Sequence, residues 1–598
     1  MALTFVLMIG SLGGIFLVVH DIREKQVDTV QIVQSEPPPT PEAASRKTLP
    51  PIPPAASAQN TPSLSASTPP APVPQRVPSS PKAADPAPAP SPAPPVGYST
   101  KLPRAIIRKA AQPSKFDREI WETIAPTPGK PLRLGKNRDT FTALVSRYIK
   151  TPFPLMTAHP AANTFPGPVP SSAPRITKTL HLPANISGWQ STGLYAPPGE
   201  LIRVRLSQND LKRGLTIQIG CHTDDLSNAE EVSEWRRFPK ITTSTSATNP
   251  ETPIANPFGG LIYIINSNNS AKPRDKIRVE IVGAIEAPFY RLGETSADEW
   301  QRLRQAPAPW GELACRSIVL SVPSKYLQNL KDPEELMKTW EKIIDGQDWL
   351  AALPKRTTHP ERIVPDEQLT LGYMHSGYPI MCHQNPSARH LVDNRHLTVE
   401  GDWGLFHESG HNHQRGEWTF AGFGETTCNL FALFSMETIA GKERFAGGPN
   451  LEKYLAEKLA DPAGANGSDH HLSIYMPVLR EFGWPSLRAT FAEYLKPDTA
   501  VERRLKARIA KAHARQSAKA AAKKRLSRRD SSDSLADATS NEDLKADLRD
   551  KERFVLLWSK HTKHNLGPYF EKVGFPYTHS MKNALTRLKP WLPPEVHP

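Results

Sequence analysis

Cysteine is scarce in this chain. Cys221, Cys315, Cys382 and Cys428 are too few for a disulfide scaffold in 598 residues, and no two form a CxxC pair. They neither require nor forbid an oxidising compartment. No internal period of the TPR, ankyrin or WD type is present, which argues against a repeat architecture. No A-x-A-like site follows the apolar N-terminus, and no Lys or Arg precedes it. Acids are outnumbered, 60 against 74 Lys plus Arg, for a formal net charge of +14. Taken alone, that balance suggests an anionic partner. It is concentrated, however. Twelve Lys/Arg and one Glu between Glu502 and Arg529 supply +11, seven acids against two bases from Asp530 to Asp550 supply −5, and the remaining chain carries +8. The basic run has no interleaved aromatic, which weakens a single-strand-binding reading, and no nucleic acid is expected as partner. Arg503–Arg529 reads as a solvated insertion, with contact to anionic lipid or wall polymer as the alternative.

What is present supports a multidomain protein. Twenty Phe, 12 Trp and 13 Tyr in a chain that is 38% hydrophobic can fill several cores. Ala2 to Val19 is uncharged and mostly apolar, near the minimum for a spanning helix. Residues 1–20 are therefore expected to be a membrane anchor, with a cleaved signal as the alternative. The rest would be extracytoplasmic or secreted, although Arg23 and Lys25 favour the opposite orientation. Residues 21–100 hold 21 of the 62 prolines, between Pro37 and Pro95, and read as a disordered Pro/Ala-rich linker. A helical lead-in is expected over 101–172. Period-two alternation at Ile202, Val204 and Leu206, at Leu215, Ile217 and Ile219, and at Ile277, Val279 and Ile281 predicts a β-sandwich over 173–286. Helical patterns dominate from 287 to 590, with a charged insertion at about 502–552 ending in a Ser/Asp-rich linker.

The chemical signal is His407-Glu408-Ser409-Gly410-His411. On a helix, positions i and i+4 share a face, so both imidazoles can reach one cation while Glu408 projects beside them. Such a motif arises by chance roughly 0.03 times in a chain of this composition. Glu425 follows 14 residues later at the start of an apolar helix and completes a His₂Glu set for Zn2+. His413 is the alternative third ligand, but i+6 turns it off the ligand face and suits it to hydrogen bonding. Glu417 reads as a solvated loop residue.

The segments Trp403 to Gln414 (WGLFHESGHNHQ) and Glu425 to Phe431 (ETTCNLF) resemble the enhancin-like metallopeptidases, the mucin-targeting gluzincins of peptidase family M-sixty. Gly188 to Glu200 and Phe258 to Ile264 are similar to the β-sandwich that precedes that family's catalytic domain. Tyr373 to Met381, Trp558 to His561 and Gly574 to Pro576 carry the likeness further, to about 160–585. The resemblance implies a zincin-type, mostly α-helical catalytic domain and a zinc endopeptidase acting on glycoproteins, often mucin-like O-glycosylated chains. It carries the zinc ligands to His407, His411 and Glu425 and the catalytic base to Glu408. Ser409 departs from the hydrophobic residue expected there, which affects helix packing rather than ligation. Tyr373, His375 and Tyr378 are candidate substrate-binding residues, a buried structural turn being the competing reading. A glycan-binding surface protein with a little-used peptidase fold is the alternative function.

Overall fold

Alternating apolar residues build the first module of the chain, as in Ile202–Leu206, where Ile202, Val204 and Leu206 are buried and both arginines exposed. The computed structural model describes residues 5–11, 14–20, 124–229, 231–267, 271–356, 358–496 and 533–596. They fall in two units, Met1–Leu102 and Pro103–Pro598.

In the first unit, Phe5–Ser11 pairs antiparallel with Gly14–His20, Phe5 opposite His20. This differs from the membrane helix expected over residues 1–20. The run is rich in Val, Ile and Phe and interrupted by Gly13-Gly14, a composition that suits a hairpin better than a helix. Among the described residues, no helix is long and apolar enough to cross a membrane. The linker over 21–100 lies outside the described residues.

The second unit begins with the lead-in, where α1 (Arg138–Ile149) is the principal helix. Eight strands follow: β1 (Ile176–Pro183), β2 (Gly188–Ala196), β3 (Ile202–Leu206), β4 (Thr216–Ile219), β5 (Thr243–Ser246), β6 (Glu251–Ile254), β7 (Gly260–Asn266) and β8 (Lys276–Glu286). Their order is β6-β3-β8-β2-β7-β4-β5, and β1 also pairs with β8. Strand β8 links two halves. Its first part pairs with β1 and β3, its last two residues with β2, across an irregularity at Gly283, whose φ of +90° suits glycine. Ile202, Val204, Ile217, Ile219, Ile262, Ile264, Ile277 and Val279 from both halves share one core.

A six-stranded sheet comes next, where helices were expected to dominate. It comprises β9 (Phe289–Arg291), β10 (Trp310–Ala314), β11 (Ile318–Pro323), β12 (Glu361–Asp366), β13 (Met374–His375) and β14 (Ile380–His383), in the order β9-β10-β11-β12-β14-β13. Every residue of β10, β11 and β12 is buried, so no alternation marks them. Buried charges also interrupt the apolar runs. Arg362 pairs with Glu312, and Arg237 from the first module pairs with Asp366 through Nε and Nη2 at 2.6 and 2.7 Å.

Against this sheet pack α2 (Pro333–Leu350), α3 (Trp403–His411) and α4 (Gly424–Thr438). Buried Gln347 of α2 donates to the Phe406 carbonyl and the Ser435 hydroxyl, tying the three helices together. Helices α5 (Met476–Tyr494) and α6 (Asp533–Thr562) join residues of α4 in a further hydrophobic core. The insertion expected over about 502–552, ending in a Ser/Asp-rich linker, is helical from Asp533. Its Ala, Leu, Glu and Lys residues are good helix formers, and Lys551 and Asp547 pair at 2.8 Å one turn apart. Residues 503–529 lie outside the described residues.

Candidate metal centre

Helix α3 starts where the Asp402 carboxylate accepts from the Leu405 amide, a side-chain N-cap at 3.0 Å. Leu405, Phe406, Ser409 and Gly410 face the core, which leaves His407 and His411 on the open side. The Ser409 hydroxyl donates to the Phe406 carbonyl at 3.0 Å, so this buried serine is satisfied within its own helix. At Gly410 an added Cβ would lie 2.5 Å from the Cys428 carbonyl oxygen, so α3 and α4 touch through backbone here. Glu425 stands in the first turn of α4, where the helix dipole favours a carboxylate.

Three donor atoms converge. His407 Nε2 and His411 Nε2 are 3.1 Å apart, and Glu425 Oε2 lies 3.2 and 3.4 Å from them. A tetrahedral ion with bonds of 2.0–2.1 Å spaces its ligands by about 3.3–3.4 Å, so the triangle fits such an ion. The tautomers fit as well. The Asn429 amide nitrogen donates to the Glu425 carbonyl, so its Oδ1, 2.6 Å from His407 Nδ1, must accept. Gln414 donates to the Gly424 carbonyl and Thr427 hydroxyl, and its Oε1 accepts from His411 Nδ1 at 2.8 Å. With both Nδ1 hydrogens given to amide oxygens, the Nε2 atoms are the positions left for a metal or, without one, for a second hydrogen donated to Glu425.

The family described as Peptidase M60, enhancin and enhancin-like matches residues 283–574, and the N-terminal domain of M60-like peptidases matches residues 171–282. The chain belongs to the M60 peptidase family. TRPM8 channel-associated factor 2 of Homo sapiens is 34% identical over 420 residues, covering 68% of this chain and 40% of that protein. The chain thus spans about 40% of the length of the curated relatives it matches. A mutant of a functionally unknown conserved protein from Bacillus anthracis str. Ames has a similar fold, with TM-score 0.52 and 19% identity over 70% of this chain and 80% of that one. IMPa from Pseudomonas aeruginosa in complex with an O-glycopeptide gives a TM-score of 0.49 and 16% identity over 71% of this chain and 52% of that one.

In this M60 chain the residues after His411 are fixtures. Asn412 donates to Glu361 and to the Gly377 carbonyl and accepts from the Gly377 amide, holding the 376–378 turn against α3. His413 is fully buried and points away from the donors, its Nδ1 toward the Ser409 carbonyl and its Nε2 3.0 Å from Asp348. Glu417 pairs with Arg415 at 2.9 Å, and both side chains stay about a third exposed. Sequence reasoning quoted Asn429 and Gln414 without a role and passed over Cys428, whose Sγ is 3.5 Å from His407 Nδ1. Cys428 groups with His407, His411 and Glu425, all donor atoms lying within 4.8 Å of one another. None of the four cysteines is in a disulfide.

Charge at the centre is strongly coupled. Burial opposes protonation of both imidazoles, but hydrogen bonding to Cys428 and Glu425 outweighs it and lifts His407 to about 10 and His411 to about 11. Hydrogen bonds from His407 and His411 hold the Glu425 carboxyl well below the usual range, although its side chain is 70% exposed. Burial pushes Glu408 above the ordinary carboxylate range.

The three candidate substrate-binding residues separate. His375 lies on edge strand β13, between the Asp224 carboxylate (Nε2 to Oδ2, 3.1 Å) and the Ser376 carbonyl (Nδ1, 3.0 Å). Burial pulls its pKa down, but the Asp224 hydrogen bond and charge more than offset this. Tyr373 is exposed, with its ring beside His383. Tyr378 packs against Trp189 and His359 and its hydroxyl accepts from the Trp189 amide at 3.4 Å, which joins it to the first module.

Proposed function

We propose that this M60 chain is a zinc-dependent endopeptidase in which His407, His411 and Glu425 hold the metal and Glu408 is the general base. The observation that carries this reading is the triangle of donor atoms with edges of 3.1–3.4 Å, both imidazoles being turned toward it by amide oxygens. Bound zinc would polarise the scissile carbonyl and acidify a water. Glu408 then takes the proton of the attacking water and returns it to the leaving amine, a task that its raised pKa suits. His375, with both ring nitrogens engaged by Asp224 and the Ser376 carbonyl, holds β13 in place beside the site. Among the described residues β13 is an edge strand of its sheet, a position that can take an extended peptide as an added strand. The substrate class, mucin-like O-glycosylated protein, follows from the family resemblance and implies an extracytoplasmic setting.

Digestion of defined O-glycopeptides with and without a chelator, read by mass spectrometry, tests the reading. Cleavage that stops with chelator, returns with Zn2+ and is absent in Glu408→Gln supports it. Equal cleavage by Glu408→Gln refutes it. A second reading, an association module with little turnover, draws on relatives named for association with a channel. It requires no cleavage by zinc-loaded wild type.

A further inference from the structure

A second group of metal-ligating side chains lies at the other end of α3. His390 Nδ1 and His396 Nε2 are each 3.0 Å from the same oxygen, Asp402 Oδ2. The three donor atoms lie within 4.8 Å of one another. Asp402 is fixed in place because its other oxygen caps α3. His396 and Glu400 belong to a single π-helical turn, His396–Glu400, a conformation that is often found at functional sites.

The hydrogen count allows two arrangements of this cluster. His396 Nδ1 faces Glu400 Oε2 at 3.1 Å while its Nε2 faces Asp402. A neutral imidazole has one hydrogen, so one of its nitrogens would direct a lone pair at a carboxylate oxygen. With hydrogens on both nitrogens, His396 would donate to Glu400 and Asp402 while His390 donates its Nδ1 hydrogen to Asp402, their rings stacked 3.9 Å apart between centroids at 30°. A bound cation is the other arrangement that satisfies the same atoms, and it uses all three converging donors. Glu400 would take the Nδ1 hydrogen of His396, which frees Nε2 as a ligand in the carboxylate–histidine–metal arrangement. Arg395 pairs with Glu400 at 3.1 Å, both side chains being exposed.

We propose that His390 Nδ1, His396 Nε2 and Asp402 Oδ2 form a second site, for a borderline divalent transition cation such as Zn2+, distinct from the centre at His407. Two imidazoles and one carboxylate suit that class of ion better than Ca2+ or Mg2+, which take oxygen ligands. None of the three is followed by a base placed like Glu408, so the ion's role is structural. It ties residues 390–402 to the cap of the helix that carries His407 and His411.

The test uses the untagged full chain, stripped with chelator, reloaded with Zn2+ alone and dialysed, with metal content measured by mass spectrometry. Wild type is expected to hold two equivalents. His396→Gln and His390→Gln should each hold one, and so should His407→Gln, which loses the other ion. Glu400→Gln should keep its catalytic ion and bind the second about 10–100-fold more weakly. Circular dichroism of each variant checks that it is folded. In stripped His407→Gln, Zn2+ should still raise the unfolding temperature, and it should not in the His396→Gln/His407→Gln pair. One equivalent in wild type that disappears in His407→Gln overturns the second site, as do two equivalents retained in His396→Gln. Either result leaves the peptidase reading intact, and loss of cleavage with two ions bound would leave the second site intact.

Discussion

Where the first module meets the second sheet, Arg237 lies against Asp366 with both side chains buried, and its other hydrogens reach the carbonyls of Phe238, Pro239, Asp224 and Gln368. At the α3–α4 junction, His407, His411 and Glu425 also crowd charge into a small volume, but there the Nδ1 hydrogens point outward, to Asn429 and Gln414, and the Nε2 atoms point inward. In the first cluster the cation is a residue and every donor has an acceptor. In the second, once the Nδ1 hydrogens are placed outward, two Nε2 atoms and one carboxylate oxygen face each other, the arrangement that the proposed zinc site needs. Counting hydrogens therefore separates a scaffold ion pair from a ligand site where counting charges does not.

The largest expected effect is on chemistry. Glu408→Gln should lower kcat/KM on a cleavable glycopeptide by about 10²–10⁴-fold while zinc content stays at the wild-type level. Loss of zinc in that variant would mean that Glu408 belongs with the ligands. Next is Arg237→Met, which leaves Asp366 buried and unpaired. It should cost about 3–5 kcal/mol of unfolding free energy in a denaturant titration, and adding Asp366→Leu should recover most of it. Without that recovery the pair is not the self-contained scaffold described above. Asn429→Ala comes third, weakening zinc binding about 10–100-fold by releasing the His407 ring, as measured by competition with a chromophoric chelator.

The smallest effect is on pH dependence. Glu408 must be deprotonated, so kcat/KM should fall as pH drops through its raised pKa. Linkage gives a stability window. Asp224 is held below its usual 3.8 by His375 and the Thr370 hydrogen bonds, which outweigh burial, so its contribution is lost as pH falls through that lowered value. The contribution of His375 is full below 6.5 and lost as pH rises through its raised value. The destabilisation by Asp224→Asn should therefore be greatest between 3.8 and 6.5 in pH-dependent thermal unfolding.

How much of this was legible follows from period and distance along the chain. His407, Glu408 and His411 could be placed on a helix because five consecutive residues fix their geometry, and the same period turned His413 away. Glu425 was found because a glycine-containing loop and an apolar helix bracket it. Asn429 is 22 residues from the ring it orients, a spacing with no local signature, so its role became clear only once α3 and α4 were packed together. The strands β10, β11 and β12 escaped for a different reason. They are buried on both faces and carry Glu312, Arg362 and Asp366, so they show neither alternation nor an unbroken apolar run. The helix from Asp533 mixes Ser and Asp, which suit linkers, with Ala, Leu, Glu and Lys, which suit helices, so its composition alone does not mark it.

Gly410 gives the centre a mechanical property. Two of its three donors ride on α3 and the third on α4, and the helices meet where Gly410 has no side chain. The gap between those backbones therefore sets the aperture of the donor triangle. A methyl group at position 410 would leave His407 and His411 together and carry Glu425 away as the helices part. Gly410→Ala should thus act as a spacer, leaving a two-histidine site that holds its ion weakly while all four chemically active side chains remain in the sequence.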